Sequence, residues 1–86
     1  MKTINIKDYN SSMGKLIDIE SKDIYLNHHI QGAINIEKDT LLYNRDRLLN
    51  KDETYYIYCT KGFKSKRVVS ILEASGYKVV QVMLNN

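Results

Sequence analysis

Apolar and polar positions change period several times along the chain, and each change predicts an element. Thr3–Ile6 alternates in the manner of a half-buried strand. Lys15-Leu16-Ile17-Asp18-Ile19 follows Gly14 as a short apolar run, the pattern of a buried parallel strand. Ser21 through Leu26 has room for one or two helical turns, and Ala33-Ile34-Asn35-Ile36 reads as strand again. Between Asp39 and Leu49 the apolar residues Leu41, Leu42, Leu48 and Leu49, with Tyr43, predict a helix whose amino cap is Asp39. Thr54-Tyr55-Tyr56-Ile57-Tyr58-Cys59 is the clearest strand, dense in aromatic and β-branched residues. From Ser65 onward Val68, Val69 and Leu72 keep helical spacing, and Gly76 is a natural left-handed stop. Tyr77–Val82 closes the chain with an apolar strand. Strands alternating with helices predict an α/β domain, a parallel sheet with helices on its faces. In such sheets ligands bind beyond the carboxyl ends of the strands.

Composition narrows this picture. A chain of 86 residues supports one core, hence one domain over 1–86, and 43% hydrophobic against 27% charged residues excludes intrinsic disorder. No run approaches the roughly 20 apolar residues of a bilayer span. The start, Met1 to Asp8, lacks the apolar stretch of a signal peptide, so a cytoplasmic chain without membrane association is expected. The formal net charge of +3 is too modest for a nucleic-acid binder. A single cysteine, Cys59, excludes an internal disulfide framework and a cysteine-based zinc cluster. His28 and His29 are adjacent, point to opposite faces of an extended segment and have no third ligand at zinc spacing, so neither a metal nor a cofactor is expected. Charge distribution is more informative than the sum. Lys61, Lys64, Lys66 and Arg67 follow Cys59 with no acid among them, while the other cations are mixed with all ten acids.

Cys59 therefore ends the best strand and is followed by a short loop, Thr60-Lys61-Gly62-Phe63-Lys64, and then by a helix start. The amino end of a helix offers unpaired amides and a positive dipole end, and a glycine loop can turn further amides inward as an anion nest. Gly62 suits the positive φ of such a turn. That cradle and the nearby lysines favour a thiolate, which makes Cys59 a candidate nucleophile. A small buried hydrophobe is the plainer alternative for one cysteine after an apolar strand.

Several separated segments together resemble the rhodanese-like (sulfurtransferase) domains. Leu16-Ile17-Asp18-Ile19 is similar to the family's first conserved strand, and His29-Ile30-Gln31-Gly32-Ala33-Ile34-Asn35-Ile36 to its histidine-to-isoleucine segment. Tyr58-Cys59-Thr60-Lys61-Gly62-Phe63-Lys64-Ser65 is similar to its active loop, and Leu72 with Gly76-Tyr77 to the residues closing the next helix. The resemblance implies about five parallel strands flanked by helices. It implies that Cys59 takes up sulfane sulfur as a persulfide from a small anionic donor such as thiosulfate, or from another persulfide. The sulfur then passes to a thiol, cyanide or protein acceptor. Residues 60–65 (Thr60, Lys61, Gly62, Phe63, Lys64 and Ser65) would bind the donor, Lys61 and Lys64 orienting its oxygens. Ser65 would cap the helix or brace the loop. Asp18, bonding loop amides, and His29 would be structural residues near the site.

The chain departs from that pattern in five places. The family's arginine after the strand aspartate is Glu20 and its glutamate before the aromatic is Ile24, so both members of one pair are missing together. The loop's late arginine is Lys64, which keeps charge but loses the bidentate fork. Gln31 replaces a proline, and Asn85-Asn86 a terminal glycine pair. Two rivals remain: a cysteine phosphatase, which wants a longer loop ending in an arginine where Ser65 stands, and a docking or redox-sensing module without catalysis.

Overall fold

The computed structural model describes residues 1–84, so the Asn85-Asn86 pair lies outside the described residues. Five strands, β1 (Lys2–Asn5), β2 (Lys15–Asp18), β3 (Ile34–Asn35), β4 (Thr54–Tyr58) and β5 (Lys78–Met83), form one sheet in the order β1-β5-β4-β2-β3. Every pairing is parallel. Helices α1 (Lys22–Asn27), α2 (Lys38–Tyr43), α3 (Arg45–Leu48) and α4 (Phe63–Ala74) connect them.

The apolar runs are buried on both faces, as parallel strands require. Along β4 the side chains alternate: Tyr55, Ile57 and Cys59 join a core with Val68, Val69 and Leu72 of α4, whereas Tyr56 and Tyr58 join Leu16, Val80 and Val82 on the opposite face. Ile57, Val68, Val69 and Leu72 are fully buried. Each such side chain contributes about 1.5–3 kcal/mol relative to exposure.

The ends of α4 follow from its sequence. Gly62 occupies the amino-cap position at φ 87°. At the other end Tyr77 N donates to Leu72 O and Gly76 N to Glu73 O, with Gly76 at φ 95°, the paired bonds of a Schellman stop. The helix expected over 39–49 is instead two. Asn44 adopts φ −119° and ψ 23° between α2 and α3, where its side-chain amide donates to Thr40 O at 2.9 Å and its oxygen accepts from Arg47 Nη2 at 3.0 Å. Asparagine competes in this way for backbone partners, and the helix breaks there. Asp39 is not the cap: Glu37 holds that position without a side-chain bond, and Asp39 lies in the first turn. The strand expected over 33–36 is reduced to Ile34–Asn35. The first strand ends at Asn5, whose side chain accepts from Lys7 N and caps a 3-10 turn over Ile6–Asp8.

This topology locates the site. The crossover from β2 leads through α1 outward to β3, whereas that from β4 leads through α4 the other way to β5. Neighbouring strands β2 and β4 are thus a switch point, and a crevice opens beyond their carboxyl ends. Asp18 pairs with Tyr58 and Ile57 with Gln81, so the residues after β2 and β4 and the middle of β5 come together there.

Candidate active site

Cys59 leaves β4 directly after Tyr58 and is only 3% exposed. The Ser65 amide donates to its Sγ at 3.1 Å, and the Ser65 hydroxyl oxygen lies 3.4 Å from the same sulfur. The left-handed Gly62 makes this return possible, because it turns the chain so that α4 begins at Phe63 and Ser65, two residues on, lies against the sulfur. An L side chain at that φ would cost about 1–2 kcal/mol. The cradle is narrower than the sequence implies: among the described residues Ser65 alone donates an amide to the sulfur. The amides of residues 61–64 have no protein acceptor among the described residues, which leaves them for a ligand.

Two cavities of about 400 Å³ meet at Cys59, one on each side of the loop. Glu20, Ile24 and Lys64 line the first; Val82, Met83 and Leu84 line the second. Thr60, Lys61 and Phe63 face both. Phe63 is 80% exposed.

Glu20 organises the first cavity. It is 5% exposed; its Oε2 accepts from Thr60 N at 2.8 Å and its Oε1 from Lys64 Nζ at 2.9 Å. Burial would raise the Glu20 carboxyl, but the Thr60 amide and the Lys64 ammonium outweigh it and hold the group below the usual carboxylate range. Lys64 is raised in turn, first by its hydrogen bond and charge interaction with Glu20, then by Cys59 and Glu37. Glu20 and Lys64 thus form a pair of their own. By family pattern alone Glu20 lacks a partner and Lys64 faces a donor's oxygens; here the two pair with each other.

The remaining expected residues are placed around this centre. Asp18 is buried and its Oδ1 accepts from Glu20 N at 2.8 Å, an amide of its own loop; the cysteine loop's amide goes to Glu20 instead. Asn35 Nδ2 donates to Asp18 O and Glu20 O, fixing the same turn. Burial, with Asp18 adding to it, pushes the Tyr58 phenol far above its ordinary range despite the bond from Ile30 N. His29 lines neither cavity at Cys59; its Nδ1 pairs with Tyr25 O at 2.7 Å and its ring stacks on Tyr25. Ser65 is no cap but a buried brace inside the first turn.

Gln81 is a site residue that sequence reasoning missed. It is 4% exposed on β5, and its Nε2 donates to Gly62 O at 2.9 Å and to Ser65 Oγ at 3.0 Å. The signal was a lone amide inside Val79-Val80-Gln81-Val82, because a polar group in a strand buried on both faces needs partners.

A parallel α/β domain with one cysteine at the carboxyl end of its central strand, under the first turn of the next helix, defines a cysteine-loop domain. The rhodanese-like domain family matches over residues 4–85, and the chain belongs to it. The thiosulfate sulfurtransferase PspE of Escherichia coli (strain K12) is 33% identical over 66 residues. The match spans 76% of this chain and 64% of that curated relative. A rhodanese-like domain protein from Staphylococcus aureus superposes with a TM-score of 0.84 at 31% identity, covering 99% of this chain and 87% of that one. A rhodanese-related protein from Thermoplasma volcanium, at 24% identity, shares the fold with a TM-score of 0.86 over 99% of this chain and 86% of its own. No helix among the described residues is long and apolar enough to cross a membrane.

Proposed function

We propose that this protein is a cytoplasmic sulfurtransferase that carries sulfane sulfur as a persulfide on Cys59. The observation that carries the reading is the lone thiol at the switch point, its sulfur held 3.1 Å from the Ser65 amide and bordered by two cavities. The Cys59 thiolate attacks the outer sulfur of a donor. With thiosulfate a cysteinyl S–S bond forms, the donor's S–S bond breaks and sulfite leaves with its electron pair. With an organic persulfide the leaving group is the carrier thiolate. In the second half-reaction a thiol, cyanide or protein nucleophile takes the outer sulfur and regenerates the Cys59 thiolate.

Negative charge is present throughout, on thiolate, persulfide and leaving group. Fixed N–H dipoles stabilise it without reorganising. The Ser65 amide serves the sulfur itself, and its hydroxyl can rotate from Gly62 O to donate to the same atom. The amides of residues 61–64 and the exposed Lys61 are the groups left to receive the transferred sulfur and the donor. A phosphatase reading lacks its clamp, because Arg67 is exposed on α4 and lines neither cavity at Cys59.

The test follows sulfane-labelled thiosulfate or an alkyl persulfide with cyanide or a thiol as acceptor. Catalytic transfer of label that is lost in Cys59→Ser supports the reading. Transfer that survives in Cys59→Ser, or no transfer from any donor, refutes it.

A further inference from the structure

The side of the site reached past Glu20 is poorly matched to a small dianion. Glu20 places a full carboxylate on the cavity wall that Cys59 shares, and this carboxylate holds two donors that an anionic substrate would otherwise use, the Thr60 amide at 2.8 Å and the Lys64 ammonium at 2.9 Å. The local charge of the pair is zero, so of the cations lining this cavity only Lys61 lies outside the pair, and a dianion brought against Glu20 meets like charge on that side. Apart from Lys61 and Thr60, the rest of that wall is apolar. Ile24, 47% exposed, stands where a glutamate would have been a further polar group, and Phe63 opposes it. An uncharged apolar body fits these two side chains.

We propose that Glu20 sets donor choice, directing the Cys59 site toward a persulfide on an uncharged, apolar carrier and away from thiosulfate. The inference rests on the sulfurtransferase reading of Cys59. The preferred step is attack of the Cys59 thiolate on the outer sulfur of R–S–SH. The new Sγ–S bond forms as the donor's RS–SH bond breaks; R–S⁻ departs with the electron pair and takes up the proton that the new persulfide releases. With such a donor the site carries one negative charge before and after the step, whereas thiosulfate brings two more to the same carboxylate.

The test compares kcat/KM for thiosulfate and for n-butyl persulfide, with cyanide as the common acceptor, in the unaltered protein, Glu20→Gln and Lys64→Met. Glutamine keeps an acceptor for the Thr60 amide and releases Lys64. The ratio of thiosulfate to persulfide kcat/KM rises about tenfold in Glu20→Gln, the scale set by removing one like charge beside a dianion. It falls in Lys64→Met, where the carboxylate loses its counter-charge; this substitution sits on an exposed side chain and carries the test if Glu20→Gln does not fold. A ratio that moves less than twofold in both variants overturns the proposal, as do shifts in the same direction, and damage to the fold lowers both donors together without moving the ratio. Sulfur uptake on Cys59 of the unaltered protein separates the two claims: uptake with an unmoved ratio overturns donor choice alone, and no uptake from either donor overturns both.

Discussion

Replacing Gln81 by leucine removes the brace beneath the cysteine loop while keeping the volume of the side chain. Its Nε2 donates two bonds, to Gly62 O at 2.9 Å and Ser65 Oγ at 3.0 Å, at a position 4% exposed. Each neutral bond of this kind is worth about 1 kcal/mol net. Neither acceptor is stranded afterwards, because Gly62 O still accepts from Lys66 N at 3.1 Å and Ser65 Oγ remains beside Cys59 Sγ. The loss is therefore about 2 kcal/mol, without an added penalty for an orphaned group. In a domain of this size that lowers Tm by about 8–16 °C. Since the same two bonds hold Gly62 and Ser65 in register with the sulfur, persulfide loading of Cys59 slows as well, by about tenfold if one such bond's preorganisation is lost. Urea unfolding and stopped-flow loading measure the two effects. Gln81→Glu is the sharper control: a carboxylate there faces two acceptors with no donor of its own and destabilises more than leucine. Stability within about 0.5 kcal/mol of the parent, together with unchanged loading, would refute the bracing role.

Three further outcomes follow from the same geometry. Gly14→Ala sets a Cβ 2.3 Å from the Thr54 carbonyl oxygen and 3.1 Å from Tyr56 Cε1, so it forces β2 from β4 and costs about 3–5 kcal/mol by urea titration. Gly62→Ala meets the end of the Met83 side chain at 3.3 Å and Gln81 Nε2 at 3.8 Å, contacts that side chains can yield to, but its φ of 87° makes alanine strained. It loses about 1–2 kcal/mol in the same titration, and Cys59 reacts differently with iodoacetamide. The Glu20–Lys64 pair stabilises the fold above the ordinary glutamate value of 4.5, and that contribution disappears as pH falls through the lowered Glu20 value. On the alkaline side it persists below 10.5 and is lost as pH rises through the raised Lys64 value. With the Lys64 side chain 52% exposed, the pair contributes about 0.5–1 kcal/mol, seen as a shallower acid limb of stability in Glu20→Gln as pH falls from 4.5 through the lowered Glu20 value.

Local patterns carried much of this structure. β4 was legible because a run buried on both faces is continuously apolar, and Cys59 at its end and Gly62 after it defined the loop by residue type alone. Gly76 announced the stop of α4 for the same reason, a backbone requirement written in one residue. What escaped was non-local or decided by competition. Glu20 and Lys64 are 44 residues apart, and only the parallel register of β2 against β4 brings them together. Compared with a family pattern, each looked like a loss, and their mutual compensation needed three dimensions. Gln81 escaped because the face of β5 under the loop was not defined until the strand order was known. The break at Asn44 was hidden by leucines whose spacing also suits one continuous helix, and a side chain competing for Thr40 O decided between the two.

On the sulfurtransferase reading, Cys59 itself holds the travelling sulfur. Intact-mass measurement after treatment with donor and no acceptor addresses it most directly. The account predicts a gain of about 32 Da, removable by dithiothreitol and mapped to the peptide containing Cys59, and no gain in Cys59→Ser. An unmodified Cys59 after donor treatment, or the same gain in Cys59→Ser, would contradict it.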